Sequence, residues 1–287
     1  MTRARATLIG FSAVVMWALL ALLTVGASDI PALQLNAICF AIGGGIGLIW
    51  GWRAGMLKHL TTISWKIYAF GTFGLFSYHF LYFTALRLAP PAEAGLIAYL
   101  WPLFIVLFSG LLPGERLKTG HIIGAIIAFA GAALILARGG IGPDASAAPG
   151  YALAFLCALT WSGYSLISRR LGRVPTVAVT VYCLATSALS LIAHLALETT
   201  IWPATPLGWA SVAALGAGPV GLAFFTWDIG VKHGDIQLLG TASYAAPLLS
   251  TLVLVLAGVT TASANLILAA ALIASGAAIA ALASRQR

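Results

Sequence analysis

The sequence predicts an all-α integral membrane protein of ten transmembrane helices, built as a 5+5 inverted-topology repeat with N- and C-termini cytoplasmic. Three observations carry this. Of 287 residues, 61% are hydrophobic and 8% are charged, against roughly 25% charged in a soluble domain. The apolar residues gather into ten runs with short joints between them. The two halves of the chain align with each other at a nearly constant offset.

The runs lie near 7–25, 31–52, 65–88, 91–112, 121–138, 150–170, 176–197, 208–231, 236–257 and 262–283. About 20 apolar residues span the hydrocarbon as a helix. Helices and closed barrels alone satisfy their backbone in lipid, and these runs are too long for barrel strands. The first run follows Arg3 and Arg5. It is longer than the apolar region of a signal peptide, and removing it would break the repeat, so it is read as a span.

Lys and Arg set the orientation, because cytoplasmic loops carry the excess. With the N-terminus inside, 13 of the 15 basic residues fall on the cytoplasmic side; only Arg87 and Arg138 fall outside. A missed span would scramble that alternation. The net charge of +8 is therefore a topology signal, with no basic patch suited to nucleic acid. Cys39, Cys157 and Cys183 sit inside apolar runs without metal-ligand spacing, as buried small hydrophobes do.

Tyr99-Leu-Trp-Pro102-Leu matches Tyr244-Ala-Ala-Pro247-Leu at an offset of 145, which also pairs Gly71 with Gly216, Arg87 with Lys232 and Gly131 with Gly276. Trp17 and Trp161 pair at 144. Five spans is an odd number, so the second copy enters from the opposite side, a ground plan of secondary transporters. This divides the chain into a first repeat (1–138), an extracytoplasmic connecting loop (139–149) and a second repeat (150–287). Gly43, Gly44, Gly45 and Gly47 in span two let backbones approach closely. Gly218-Pro219 in span eight should kink or break its helix, as packing or as a hinge.

No HExxH, CxxC, GxSxG or P-loop occurs, and six of the seven acids fall in joints or at span ends. What stands out is a polar-aromatic layer near the span centres: Trp17, Tyr78, His79, Tyr82, Tyr99, Trp101, Trp161, Ser243 and Tyr244. Trp and Tyr ordinarily collect at the membrane interfaces. At the centre their N–H and O–H groups need partners, so they face the interior, lining a wet cavity or bonded to one another. These residues are the candidate substrate-binding set. Tyr78 and Tyr82 share a helix face. His79 is titratable at membrane depth, which is a functional hypothesis by default; the alternative is a neutral imidazole bonded to a neighbour. Asp228 has two readings: an interfacial i, i+4 pair with Lys232, or a cytoplasmic gate or coupling acid. Gln34, Asn36 and His194 read as interfacial.

The segment ALRLAPPAEAGLIAYLWPLF, the Gly114-Glu115-Arg116 turn and GAIIAFAGAAL together resemble the EamA-type drug/metabolite transporter superfamily. The resemblance covers spans three to five well and recurs more weakly in spans eight to ten. One departure is Thr260, which stands where Glu115 would map. The central Tyr/Trp/His set is similar to that of YddG-like amino-acid exporters. This implies alternating-access export of aromatic or neutral amino acids, without a cofactor or metal, from a multi-pass position in a bacterial-type inner membrane. The expected partners are an amino-acid-like small molecule and the lipid bilayer, with the protein a monomer or homodimer. The rivals are a multidrug or cationic-compound exporter, which would want a central acid, and an integral-membrane enzyme or assembly factor, which would want clustered catalytic residues.

Overall fold

Two prolines 145 residues apart shape the helices around the centre of the molecule. Pro102 and Pro247 each lack an amide donor, and in each case the helix is interrupted three residues earlier, at Tyr99–Leu100 and Ser243–Tyr244. The computed structural model describes residues 1–136, 145–259, 261 and 264–285.

Among these the secondary structure is helical. In chain order the helices are α1 (Arg3–Trp17), α2 (Leu20–Gly26), α3 (Ala32–Arg53), α4 (Trp65–Leu88), α5 (Pro91–Ala98), α6 (Trp101–Ser109) and α7 (Thr119–Leu136). There follow α8 (Ala148–Arg170), α9 (Ala178–Leu197), α10 (Pro206–Ala217), α11 (Ala223–His233), α12 (Ile236–Ala242), α13 (Ala245–Leu256) and α14 (Ala264–Arg285). A π-helical turn, Gly218–Leu222, joins α10 to α11.

Nine stretches among the described residues are long and apolar enough to cross a membrane. They match nine of the ten predicted runs. The remaining run is α4, 24 residues of continuous helix. Its tyrosines, His79, Lys66 and Arg87 lower its mean hydropathy. Most of the predicted connecting loop, together with Arg138, Asp144 and Thr260, lies outside the described residues.

Two of the glycine readings resolve into close packing. A Cβ on Gly43 would sit 2.7 Å from the Gly221 Cα, so α3 runs directly against the π turn. Gly124 and Gly276 face each other's backbone, where a Cβ on either would meet the other's carbonyl oxygen at 2.5 Å. The small-residue faces of α7 and α14 are therefore used within one chain. The three cysteines are buried free thiols.

Polar clamps tie the two ends of the helices. On one face the Glu198 carboxylate accepts the Leu33 and Gln34 N–H groups that open α3, together with Arg87 at 2.6 Å and His194 Nδ1 at 3.1 Å. Burial raises the Glu198 carboxyl, but these donors outweigh it and hold it below the usual carboxylate range. His194, Gln34 and Asn36 are buried within the protein. Gln34 exchanges two hydrogen bonds with the Ile201 backbone, and Asn36 donates to Ser190.

On the opposite, basic face, Arg169 at the end of α8 binds Glu115 and also donates to the Val231 and Gly234 carbonyls. Arg3 lies 3.3 Å from both Glu115 and Asp235. This cluster joins the start of α1, the α6–α7 joint, the end of α8 and the α11–α12 joint.

Candidate functional site

The helix interruptions surround a cavity of about 760 Å³. Its upper wall comes from α2 and the start of α3 (Thr24, Val25, Ser28, Leu35), from Leu86 near the end of α4, and from Leu136. All of these belong to the face of the Glu198 clamp. No residue of the basic-face clamp borders it, so the cavity opens to one side and is closed to the other.

Aromatic residues form its floor and inner wall. Trp17 stands at the end of α1, where the helix stops and Leu19 N–H turns to Met16, three residues back. The π turn presents the Pro219 carbonyl to Trp17, whose indole N–H donates to it at 3.1 Å. Trp17 then meets Trp101 edge-on at 6.1 Å, Trp161 at 5.8 Å and Trp227 at 5.1 Å between ring centroids. Such edge and tilted contacts are favoured arrangements of aromatic rings. Trp161 and Trp101 are nearly buried yet border the cavity, so they form its floor.

Above the floor, Tyr78, His79 and Tyr82 come from α4. The Tyr78 and Tyr82 rings are parallel, 6.2 Å apart, as their spacing on one helix face requires. His79 bonds through Nδ1 to the Leu75 carbonyl at 2.8 Å. A carbonyl only accepts, so Nδ1 carries the proton and the neutral ring keeps an acceptor lone pair on Nε2. Tyr99 completes this wall from the α5–α6 break. Among the described residues, the lining contains Tyr, Trp, His, Asn36 and small hydroxyls but no Asp, Glu, Lys or Arg.

Seven of the nine predicted site residues therefore border one cavity: Trp17, Tyr78, His79, Tyr82, Tyr99, Trp101 and Trp161. Ser243 and Tyr244 do not. The Ser243 hydroxyl bonds back to the Leu239 carbonyl, and fully buried Tyr244 turns its hydroxyl to the Leu103 amide of α6. Asp228 is also away from the cavity. It is 1% exposed and forms the i, i+4 pair with Lys232, its Oδ2 accepting Lys232 at 2.8 Å and Thr176 at 2.7 Å. Trp227 and Phe224 were not among the predicted site residues; Phe224 borders the cavity floor, and Trp227 packs beneath it, bonded through its indole N–H to Ser165.

The model of the EamA-like transporter family matches residues 4–137 and again residues 148–282. The chain belongs to this family. These matches make this EamA-like chain a transporter-family membrane protein. Along its full length it is 51% identical to a protein of Ancylobacter novellus named aromatic amino acid exporter YddG, covering 100% of both chains. A protein of the same name from Salmonella typhimurium is 28% identical over 88% of each chain. A solved structure titled "Crystal structure of protein" superposes with a TM-score of 0.96 at 51% identity, covering 99% of each chain. The cavity thus lies between the two family-matched halves, with lining residues from both.

Proposed function

We propose that this EamA-like protein is a secondary transporter that exports aromatic or neutral amino acids, or related small metabolites, by alternating access. The observation that carries the reading is the one-sided cavity, walled by aromatic rings and isolated hydrogen-bonding groups. Rings give stacking surface to an aromatic or apolar side chain. The absence of charged side chains among the described lining residues suits a net-neutral zwitterion held weakly enough to leave. It argues against a dedicated cation exporter, which gains from an acid in its cavity. The names of the full-length relatives point the same way.

In this reading α4 is the third of ten spans, the repeats are inverted, both termini lie in the cytoplasm of a bacterial cell, and the cavity opens outward. Tyr78, His79, Tyr82 and Tyr99 contact the substrate above the floor of Trp17, Trp101 and Trp161. The basic-face cluster of Arg3, Glu115, Arg169 and Asp235 is the closed cytoplasmic gate.

The test is uptake of labelled amino acids into liposomes holding the purified protein, with and without a pH gradient. Flux of aromatic amino acids, impaired by His79→Ala and Tyr82→Ala, is expected. No flux of any amino acid would sink the proposal, and wild-type flux in both variants would remove the cavity from it.

A further inference from the structure

Arg169 and Arg170 end α8 side by side, and only one of them is committed. Arg169 donates to the Val231 and Gly234 carbonyls and pairs with Glu115. Arg170 is exposed and pairs with no carboxylate among the described residues. The acids of this face are engaged elsewhere: Glu115 with Arg169 and Arg3, Asp235 with Arg3 and the Leu238 N–H, Asp228 with Lys232 and Thr176. Both arginines border a recess of about 320 Å³, separate from the central cavity, and Leu112 and Pro113 of the α6–α7 joint form its other wall.

Toward the middle of the molecule from this recess, the outer surface of α6 and α8 is apolar. Phe104 and Phe108 stack along α6, and Phe155 of α8 meets Phe104 edge-on. Phe108, Leu111, Phe155 and Ile167 are exposed. Gly163 lies seven residues, about two turns, before Arg170 on the same face of α8. Nothing stands within 4 Å of its would-be Cβ, so the glycine is an open notch in the helix surface rather than a packing contact. Trp50 and Trp52 at the end of α3 and Trp65 at the start of α4 are exposed on the same basic face. Trp collects where headgroups meet acyl chains. Arg170 therefore stands at headgroup depth, with the aromatic surface and the notch in the hydrocarbon beside it.

We infer that the recess and the adjoining surface bind an anionic phospholipid of the surrounding leaflet. Its phosphate takes the free Arg170 guanidinium, with Arg169 beside it, and an acyl chain runs past Phe108 and Phe155 into the Gly163 notch. Guanidinium groups suit phosphate because they present paired N–H donors to its oxygens. Basic pockets between membrane helices bind anionic headgroups for the same reason. A soluble phosphate would leave the apolar surface and the notch uncovered, and a zwitterionic lipid carries its own cation. Because Arg169 also holds Glu115, the lipid sits against the clamp that joins α1, α8 and the two joints, and its binding should raise thermal stability.

The experiment uses the full chain purified in a neutral detergent. Native mass spectrometry compares retention of phosphatidylglycerol and phosphatidylcholine of matched acyl chains, and preferential retention of phosphatidylglycerol is expected. Arg170→Gln should lower that retention about fivefold, the worth of one basic residue at an anionic surface, while Arg173→Gln should stay within about twofold. Arg173 is exposed three residues further on and does not border the recess. Equal retention of the two lipids, or equal loss in the two variants, would overturn the site. Gly163→Leu fills the notch and should also lower retention, with the lipid-free unfolding midpoint unchanged; undiminished retention would overturn the acyl-chain path. Inorganic phosphate added in excess should leave the lipid in place. Its displacement by phosphate would assign the recess to a soluble anion and overturn the lipid.

Discussion

The Tyr244 hydroxyl accepts the backbone N–H of Leu103 at 3.0 Å, joining the helix break of one family-matched half to that of the other. Leu103 lies in the first turn of α6, where amide donors lack an intrahelical partner. Tyr244 is fully buried, so no solvent takes its place. Tyr244→Phe leaves that donor unsatisfied and should cost about 1–3 kcal/mol. Thermal unfolding in detergent should show a lower midpoint. Tyr99→Phe, at a half-buried ring in the cavity wall, should move it much less; equal shifts would mean that the hydroxyl bond is not what stabilises the break.

The basic-face clamp predicts a pH dependence. Burial raises the Glu115 carboxyl, but Arg169 and then Arg3 outweigh it and hold it below its ordinary value of 4.5. The folded form therefore binds this proton less readily than the unfolded chain. The stabilisation is complete above the ordinary carboxylate range and is lost as pH falls through the lower folded value. Glu115→Gln should reduce stability at pH 7 and flatten its decline below about pH 4.5. An unchanged acid limb in thermal unfolding would remove Glu115 from the account.

His79 is expected to act through an acceptor on Nε2, since Nδ1–H is committed to Leu75. His79→Phe keeps a ring of similar size and removes the acceptor. KM for substrate presented to the open face should rise several-fold, with the fold intact by thermal unfolding. If the imidazole only accepts, the wild-type rate should not depend on a proton gradient. A strong gradient dependence abolished by His79→Phe would instead assign it to proton coupling.

The all-helical membrane class was legible because the bilayer demands long apolar runs. The cavity layer was legible because Tyr, Trp and His at mid-span have few other uses. Ser243 and Tyr244 resemble the cavity residues in type and depth. Tyr99 borders the cavity, whereas Tyr244 packs against α6 with its hydroxyl on the Leu103 amide, a difference that tertiary packing alone decides. Trp227 was missed because it lies near the basic end of its run, where an aromatic reads as an interface anchor; its offset from Tyr82 was the available signal. The break at Ala18–Leu19 carries neither Pro nor Gly, and local sequence holds no mark of it. The connection between Asp228 and Thr176 is equally invisible, because it depends on how α9 packs against α11.

Glycines in α3 supply a prediction with its own control. Gly43 meets the Gly221 Cα at 2.7 Å from its would-be Cβ, and the neighbouring contact is the Val220 carbonyl, so rigid backbone stands on that side. Gly43→Ala must push α3 away from the π turn. Overpacking of this kind costs roughly 1–3 kcal/mol, and the shift acts on the turn that holds Pro219 against Trp17. Gly45 is two residues on and has nothing within 4 Å of its would-be Cβ. Gly45→Ala should be neutral or stabilising by up to about 1 kcal/mol, because alanine is the better helix former. Thermal unfolding and flux measured on both variants decide the matter. A loss of stability and transport in Gly43→Ala alone supports the close approach as a requirement of the site, whereas tolerance of both substitutions would show that the π turn yields to the added methyl.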